Sequence, residues 1–151
     1  MPIREFCNRE VVVVDRQCPV REAARLMRNF HVGNVVVVDV HENSRMPVGI
    51  VTDRDLVVEI MARDVDPALL TVGDVMGPDL FTVRESEDLL QVIGRMRARG
   101  VRRAPVVNDI GVLEGIITVD DLLELLAEQA GKLTDLIRHE LELERQNRPA
   151  V

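Results

Sequence analysis

Gly115-Ile116-Ile117-Thr118-Val119-Asp120-Asp121-Leu122 and Gly49-Ile50-Val51-Thr52-Asp53-Arg54-Asp55-Leu56 are two copies of one pattern. Each reads as Gly, two β-branched residues, Thr, two variable residues, Asp, Leu. The branched pair suits a buried strand. The Thr then stands where a strand gives way to a helix. A Thr with an acid three residues on makes a capping box, which satisfies free N–H groups at the helix start. The same N–H groups and the positive end of the helix dipole also favour a phosphate. A single copy is accounted for by capping. Two copies in matching places leave that account incomplete.

Working outward, the repetition extends over most of the chain. An offset of 69 positions brings Met27 onto Met96, and Val20, Ala23 and Ala24 onto Leu89, Val92 and Ile93. These residues form the apolar stripe of a helix. The same offset brings Val13-Val14 onto Thr82-Val83, Val32 onto Val101, and Val35 to Val38 onto Ala104-Pro105-Val106-Val107. A shorter second loop then slips the register, so that Gly49 meets Gly115 and Thr52 meets Thr118. Each unit reads strand, helix, strand, turn, strand, helix.

The first unit is expected to have a strand at Val11 to Val14 and a helix from Cys18-Pro19 to about Asn29, with Pro at the first helical position. A strand at Asn34 to Asp39, a polar loop at Val40 to Met46 and a return strand at Pro47 to Thr52 follow. The second unit has Ser86 as the expected N-cap and Gly100 as terminator. Its hairpin runs from Pro105 to Val107, turns through Asn108 to Gly111 and returns over Glu114 to Thr118. The closing helices are Asp53 to Met61 and Val119 to Gln129. Ala62 to Leu70 links the units, and Asp66-Pro67 breaks any helix there. In the tail, Leu133, Leu136, Ile137 and Leu141 keep helical spacing, which Gly131 interrupts. Arg148 to Val151 should fray.

At 151 residues the chain can bury a core without staples. Its formal charge of -7 argues against nucleic acid, whose affinity comes largely from Lys and Arg on phosphates. No apolar run approaches membrane-spanning length. Met1 to Glu10 is mixed and charged and lacks the apolar stretch of a signal peptide. Cys7 and Cys18 have no metal spacing and read as reduced thiols, so the expected location is the cytoplasm. With no Trp or Tyr, only Phe6, Phe30 and Phe81 could stack on a base.

No nucleophile–base–acid set is visible, and the glycines form neither a P-loop nor a Rossmann fingerprint. His31, His41 and His139 fall at a helix end, in a loop and in the tail, without metal spacing. The sequence therefore reads as a non-enzyme with no obligatory cofactor and no metal.

The order of elements, the doubled motif and Gly100-Val101-Arg102-Arg103-Ala104-Pro105-Val106-Val107 resemble a tandem pair of CBS domains, also called a Bateman module. The resemblance covers about Ile3 to Leu126. It implies an α/β fold of two β-α-β-β-α repeats with pseudo-twofold symmetry, residues 1–66 and 67–128, followed by a helical tail, residues 129–151. In members that bind adenosine derivatives, the motif Asp takes the ribose hydroxyls and the motif Thr meets phosphate. Carried over, these are Asp121 with Thr118 and Asp55 with Thr52. A basic residue two before the Pro often meets phosphate too, and here it is Arg103. Walls come partly from the opposite repeat. For the Thr118 site these would be Val14 to Cys18 and Val32-Gly33, and for the Thr52 site Val83 and Val101-Arg102.

The first copy departs from the pattern. Asn34 stands where Arg103 stands, and Val36 replaces the Pro. Arg54 is placed either to reach phosphate in compensation or to face solvent, and Arg102 either lines a site or is a surface charge. The resemblance implies AMP, ADP or ATP as ligand, with S-adenosylmethionine or NAD(H) behind them. It also implies a homodimer through helices 53–61 and 119–129 and a protein partner that reads the ligand state. The competing reading is a structural dimerisation module with empty clefts, working through its tail.

Overall fold

The computed structural model describes residues 1–148 and 150. It has two three-stranded sheets, ordered β1-β2-β3 and β4-β5-β6. In the first repeat β1 is Val13–Val14, α1 Val20–Phe30, β2 Asn34–His41, β3 Ser44–Thr52 and α2 Asp53–Leu56. In the second, β4 is Val83–Arg84, α4 Leu89–Arg99, β5 Arg103–Val107, β6 Leu113–Thr118 and α5 Val119–Asn147, with a one-turn helix α3 at Val72–Val75 before it. In each sheet the first pair is parallel and the second antiparallel.

The 69-residue offset is preserved in the pairing. Val14 lies opposite Val37 as Val83 lies opposite Val106. Asn34 faces Thr52 as Arg103 faces Thr118, and the bulge at Val37/Val38 recurs at Val106/Val107. Both first helices end on a left-handed residue, His31 at φ 54° and Gly100 at φ 67°.

The run Val35 to Val38 is apolar throughout because β2 is covered on both faces. Val35 and Val37 pack with Ala23, Met27 and Val51 under the helices. Val36 and Val38 pack with Leu113 and Ile116 between the two sheets. The second repeat has its own core, including Val92, Met96, Val106, Ile117 and Leu122.

Each repeat is completed by the segment that leads into the other. Ile3, fully buried, belongs to the second repeat's core, and Val72, fully buried, to the first's. The hydrogen bonds are reciprocal. Ile3 donates its N–H to Glu87 O at 3.0 Å, and Val72 donates to Cys18 O at 2.8 Å. Arg4 donates to Glu85 O and Gly73 to Arg16 O, both at 3.0 Å. Pro2 bridges to Asp88 as Thr71 bridges to Pro19.

This crossing explains the glycine that begins each motif. A Cβ on Gly115 would lie 2.7 Å from Asn8 O and 3.0 Å from Cys7 Sγ, and one on Gly49 would run into the Met76 side chain. Gly115→Ala therefore pushes on backbone, whereas Gly49→Ala pushes on a flexible thioether. We expect Gly115→Ala to cost about 2 kcal/mol and Gly49→Ala under about 1 kcal/mol, measured by urea denaturation. Equal costs would refute the backbone argument.

Several local expectations are corrected. Only Val13–Val14 of the Val11 to Val14 run is strand. Pro19 is the N-cap of α1 rather than its first residue, held by the bridge to Thr71. The polar loop Val40 to Met46 is mostly strand, closed by a two-residue turn at Glu42 and Asn43 with φ of 49° and 65°. That left-handed pair is the hairpin turn that matches strand twist. The N-cap of α4 is Asp88, not Ser86: Asp88 accepts from Leu90 N–H at 3.1 Å and also holds the Met1 ammonium at 3.1 Å.

The closing helix of the first repeat is one α-turn followed by a wider π-turn at Val57–Met61, marked by Ala62 N–H to Val57 O at 2.8 Å. The closing helix of the second does not stop at Gln129. It runs 29 residues to Asn147, straight through Gly131, whose surroundings are open. Of the stretch expected to fray, Arg148 still donates its N–H to Glu144 O at 2.8 Å, while Pro149 and Val151 lie outside the described residues. No helix among the described residues is long and apolar enough to cross a membrane.

Candidate ligand cleft

Both motif threonines close capping boxes. Thr118 Oγ1 accepts from Asp121 N–H at 3.1 Å, and Asp121 Oδ2 accepts from Thr118 N–H at 3.0 Å and from Thr118 Oγ1 at 2.7 Å. Thr52 and Asp55 repeat the backbone pair at 3.1 and 2.8 Å. A third box, Thr71 with Asp74, caps α3. Capping is thus real at every copy, and the motif alone does not mark a binding site.

What distinguishes the second copy is its surroundings. Thr118 and Asp121 open onto a cleft of about 290 Å³ between the repeats. Val32, Gly33 and Arg103 line it, as does Asn34. Arg103 donates from Nη1 to Asn34 Oδ1 at 3.1 Å. These two residues occupy the same position in the two repeats, so the guanidinium lies across the pseudo-twofold axis. Gly33 makes room for it: a Cβ there would stand 3.3 Å from Arg103 Nη1 and 3.3 Å from Asp53 Oδ2. Asp121 Oδ1 takes no hydrogen bond among the described residues.

An apolar hollow of about 690 Å³ adjoins this polar half, sharing Val11, Val12 and Val32 with it and adding Val13, Leu26 and Phe30. Phe30 is the one aromatic side chain in it.

The remaining sequence candidates lie elsewhere. Thr52, Arg54 and Asp55 belong to α2 and its cap, outside this cleft. Val101 packs against the second core and lines an apolar hollow with Val119 and Leu122. Arg102 points to Asp120 at 3.9 Å, both side chains exposed. The wall expected from Val14 to Cys18 comes instead from Asn8, Glu10, Val11 and Val12. Val14 is turned into the first core, and Val83 into the second. The displacement follows from the bridge of Asn8 to Ile116, 2.9 and 2.8 Å, which carries the leading segment onto the second sheet. His31 and Asp120 also line the cleft. The offset could have found His31, as the counterpart of Gly100; no sequence signal marks Asn8.

Burial pushes the thiols of both Cys7 and Cys18 above their ordinary value, so at neutral pH they are protonated and weakly nucleophilic.

Comparison with known proteins agrees with this architecture. An uncharacterized protein of Methanopyrus kandleri, MK0525, is 32% identical over 123 residues, which are 82% of this chain and 61% of that protein. This chain thus spans less than two thirds of that relative's length. Among solved structures, the hexameric CBS-CP12 protein from bloom-forming cyanobacteria superposes with a TM-score of 0.71 at 28% identity, covering 82% of this chain and 69% of that one. The CBS domain pair of protein MJ0100, solved with 5′-methylthioadenosine and S-adenosyl-L-methionine, has a TM-score of 0.74 at 22% identity, covering 85% and 98%, and supports the fold alone. The family model described as CBS domain matches residues 3–62 and again 72–128. With two matches over most of its length and a duplicated architecture to go with them, the chain belongs to the CBS-domain family as a tandem pair.

Proposed function

We propose that this protein is a regulatory module that binds an adenosine-containing ligand in the cleft at Thr118 and Asp121. The observation that carries the reading is a pair of adjoining hollows of different chemistry that share Glu10, Val11, Val12 and Val32. The apolar hollow, with Val12, Leu26 and Phe30, suits a purine. The polar hollow presents the Asp121 carboxylate, with lone pairs for a vicinal diol, beside the Arg103 guanidinium and the start of α5. The MJ0100 pair, which has the same fold, was crystallised with two adenosine derivatives. The Thr52/Asp55 motif with Arg54 is a second candidate site, served by Val101 and Arg102 from the opposite repeat.

The ligand bridges the repeats, favours one arrangement of them by differential affinity, and a protein partner reads the result. Helices 53–61 and 119–129 pair two copies, exposing Val57, Met61, Leu123 and Leu126 as the contact residues. The units are residues 1–66 and 67–128 with the extension 129–151, working in the cytoplasm without catalysis.

A thermal-unfolding panel with AMP, ADP, ATP, S-adenosylmethionine and NAD(H) tests this. A ligand at about 100 times its Kd adds about 2.7 kcal/mol, which raises Tm by about 5–10 °C for a chain of this size. A flat panel at millimolar ligand would overturn the sensor and favour the scaffold reading. That reading has its own observation: Leu133, Leu136, Ile137 and Leu141 on α5 are all exposed.

A further inference from the structure

We infer that the Thr118/Asp121 cleft selects adenosine derivatives bearing at most one phosphate and turns away di- and triphosphates. This rests on the adenosine reading above and concerns the charge of the group beyond the ribose.

The polar half of the cleft carries three carboxylates, Glu10, Asp120 and Asp121, against one guanidinium, Arg103, and the His31 imidazole; Glu10 borders the apolar half as well. A symmetric pair would place a cation at the axis from each repeat. Here the counterpart of Arg103 is Asn34, which accepts from Arg103 rather than adding a charge. One guanidinium therefore serves the first phosphate, and among the described residues the only other basic side chain lining the cleft is the His31 imidazole. Arg102 is drawn to Asp120 at 3.9 Å and is not a lining residue. The motif position that is Arg54 in the first copy is Asp120 in the second, so the first turn of α5 has an acid where α2 has a base.

A phosphate beyond the first meets the carboxylates of Glu10 and Asp120, and Arg102, the guanidinium beside Asp120, is already drawn to that acid at 3.9 Å. Like charges a few ångströms apart repel strongly where solvent is partly excluded, and less where it is not. Both acids are exposed, so the effect is moderate rather than prohibitive. The helix N-terminus attracts anions, but its field falls off within one turn and Asp120 and Asp121 already occupy it.

Calorimetric titration of the full chain with adenosine, AMP, ADP and ATP, without divalent cation and at about 0.15 M salt, tests the inference. AMP is expected to bind at least about tenfold more tightly than ATP, about 1.4 kcal/mol. In the Glu10→Gln, Asp120→Asn double variant the gap should narrow about threefold or more, through tighter ATP binding. Both positions are exposed, and the circular dichroism of the variant checks that its fold is unchanged. ATP binding as tightly as AMP, or a gap untouched by the double variant, would overturn the charge selection while leaving the adenosine site standing. Binding by none of the four compounds would instead overturn the adenosine reading.

Discussion

Ile3→Ala is expected to destabilise the protein by about 3 kcal/mol, although the residue stands third in the chain. Chain ends are ordinarily tolerant because little is packed on them. Ile3 is an exception: it is fully buried among Val83, Leu89, Val92 and Ile117, residues of the opposite repeat. Truncation to Ala removes three methylene-sized groups from a close-packed site, and the cavity cannot collapse, because Ile3 and Arg4 are pinned by backbone bonds to Glu87 and Glu85. For a chain of this size the loss corresponds to a fall in Tm of about 6–12 °C. Urea denaturation should show a lower midpoint with an unchanged slope. Val72→Ala, at the symmetry-related place, should act in the same direction through the first core. A change below about 0.5 kcal/mol for Ile3→Ala, the size of an ordinary surface effect, would mean that the leading segment does not dock in solution.

Asp121→Ala should weaken ligand binding about 100-fold or more. The estimate takes two charge-assisted hydrogen bonds lost to a carboxylate, at about 1.5 kcal/mol each. Asp121 is also a capping residue, so the variant loses about 1 kcal/mol of stability as well. Asp74→Ala makes the control. It removes the equivalent box from α3 and so carries a similar stability cost, but it lies outside the cleft and in neither candidate site. Titration of both variants with the ligand found by the unfolding panel separates the two effects. Ligand affinity surviving Asp121→Ala at wild-type strength would refute the site.

The duplicated motif, the helical stripes and the strand pairing were legible because each is a local pattern. A 3.6-residue period, a Thr-x-x-Asp spacing and a run of β-branched residues need only their neighbours for their meaning. Asn34 to Asp39 could be placed in a strand before any packing was known. The wall of the cleft could not. Whether Asn8 to Val12 or Val14 to Cys18 faces Asp121 depends on where the leading segment crosses, and that is set by Ile3 finding a socket more than 80 residues away. Arg103 and Asn34 illustrate the same limit. In the sequence, Asn34 is a departure from the pattern of its own repeat. In the structure it lies on the axis, accepts a hydrogen bond from Arg103 and lines the cleft of the other motif. The length of α5 was hidden for a different reason. Glycine disfavours a helix by about 1 kcal/mol, but Gly131 is bracketed by good helix formers and the ladder continues past it.

That continuity gives the cleft a mechanical gain. The helix whose first turn holds Asp121 is the same rigid rod whose last turn lies 29 residues on, about 43 Å away at 1.5 Å per residue. A tilt of about 5° at the first turn swings the far end through about 4 Å. A displacement of that size is about three quarters of the 5.4 Å helical pitch and exceeds the roughly 1–2 Å helix shifts that repack many interfaces.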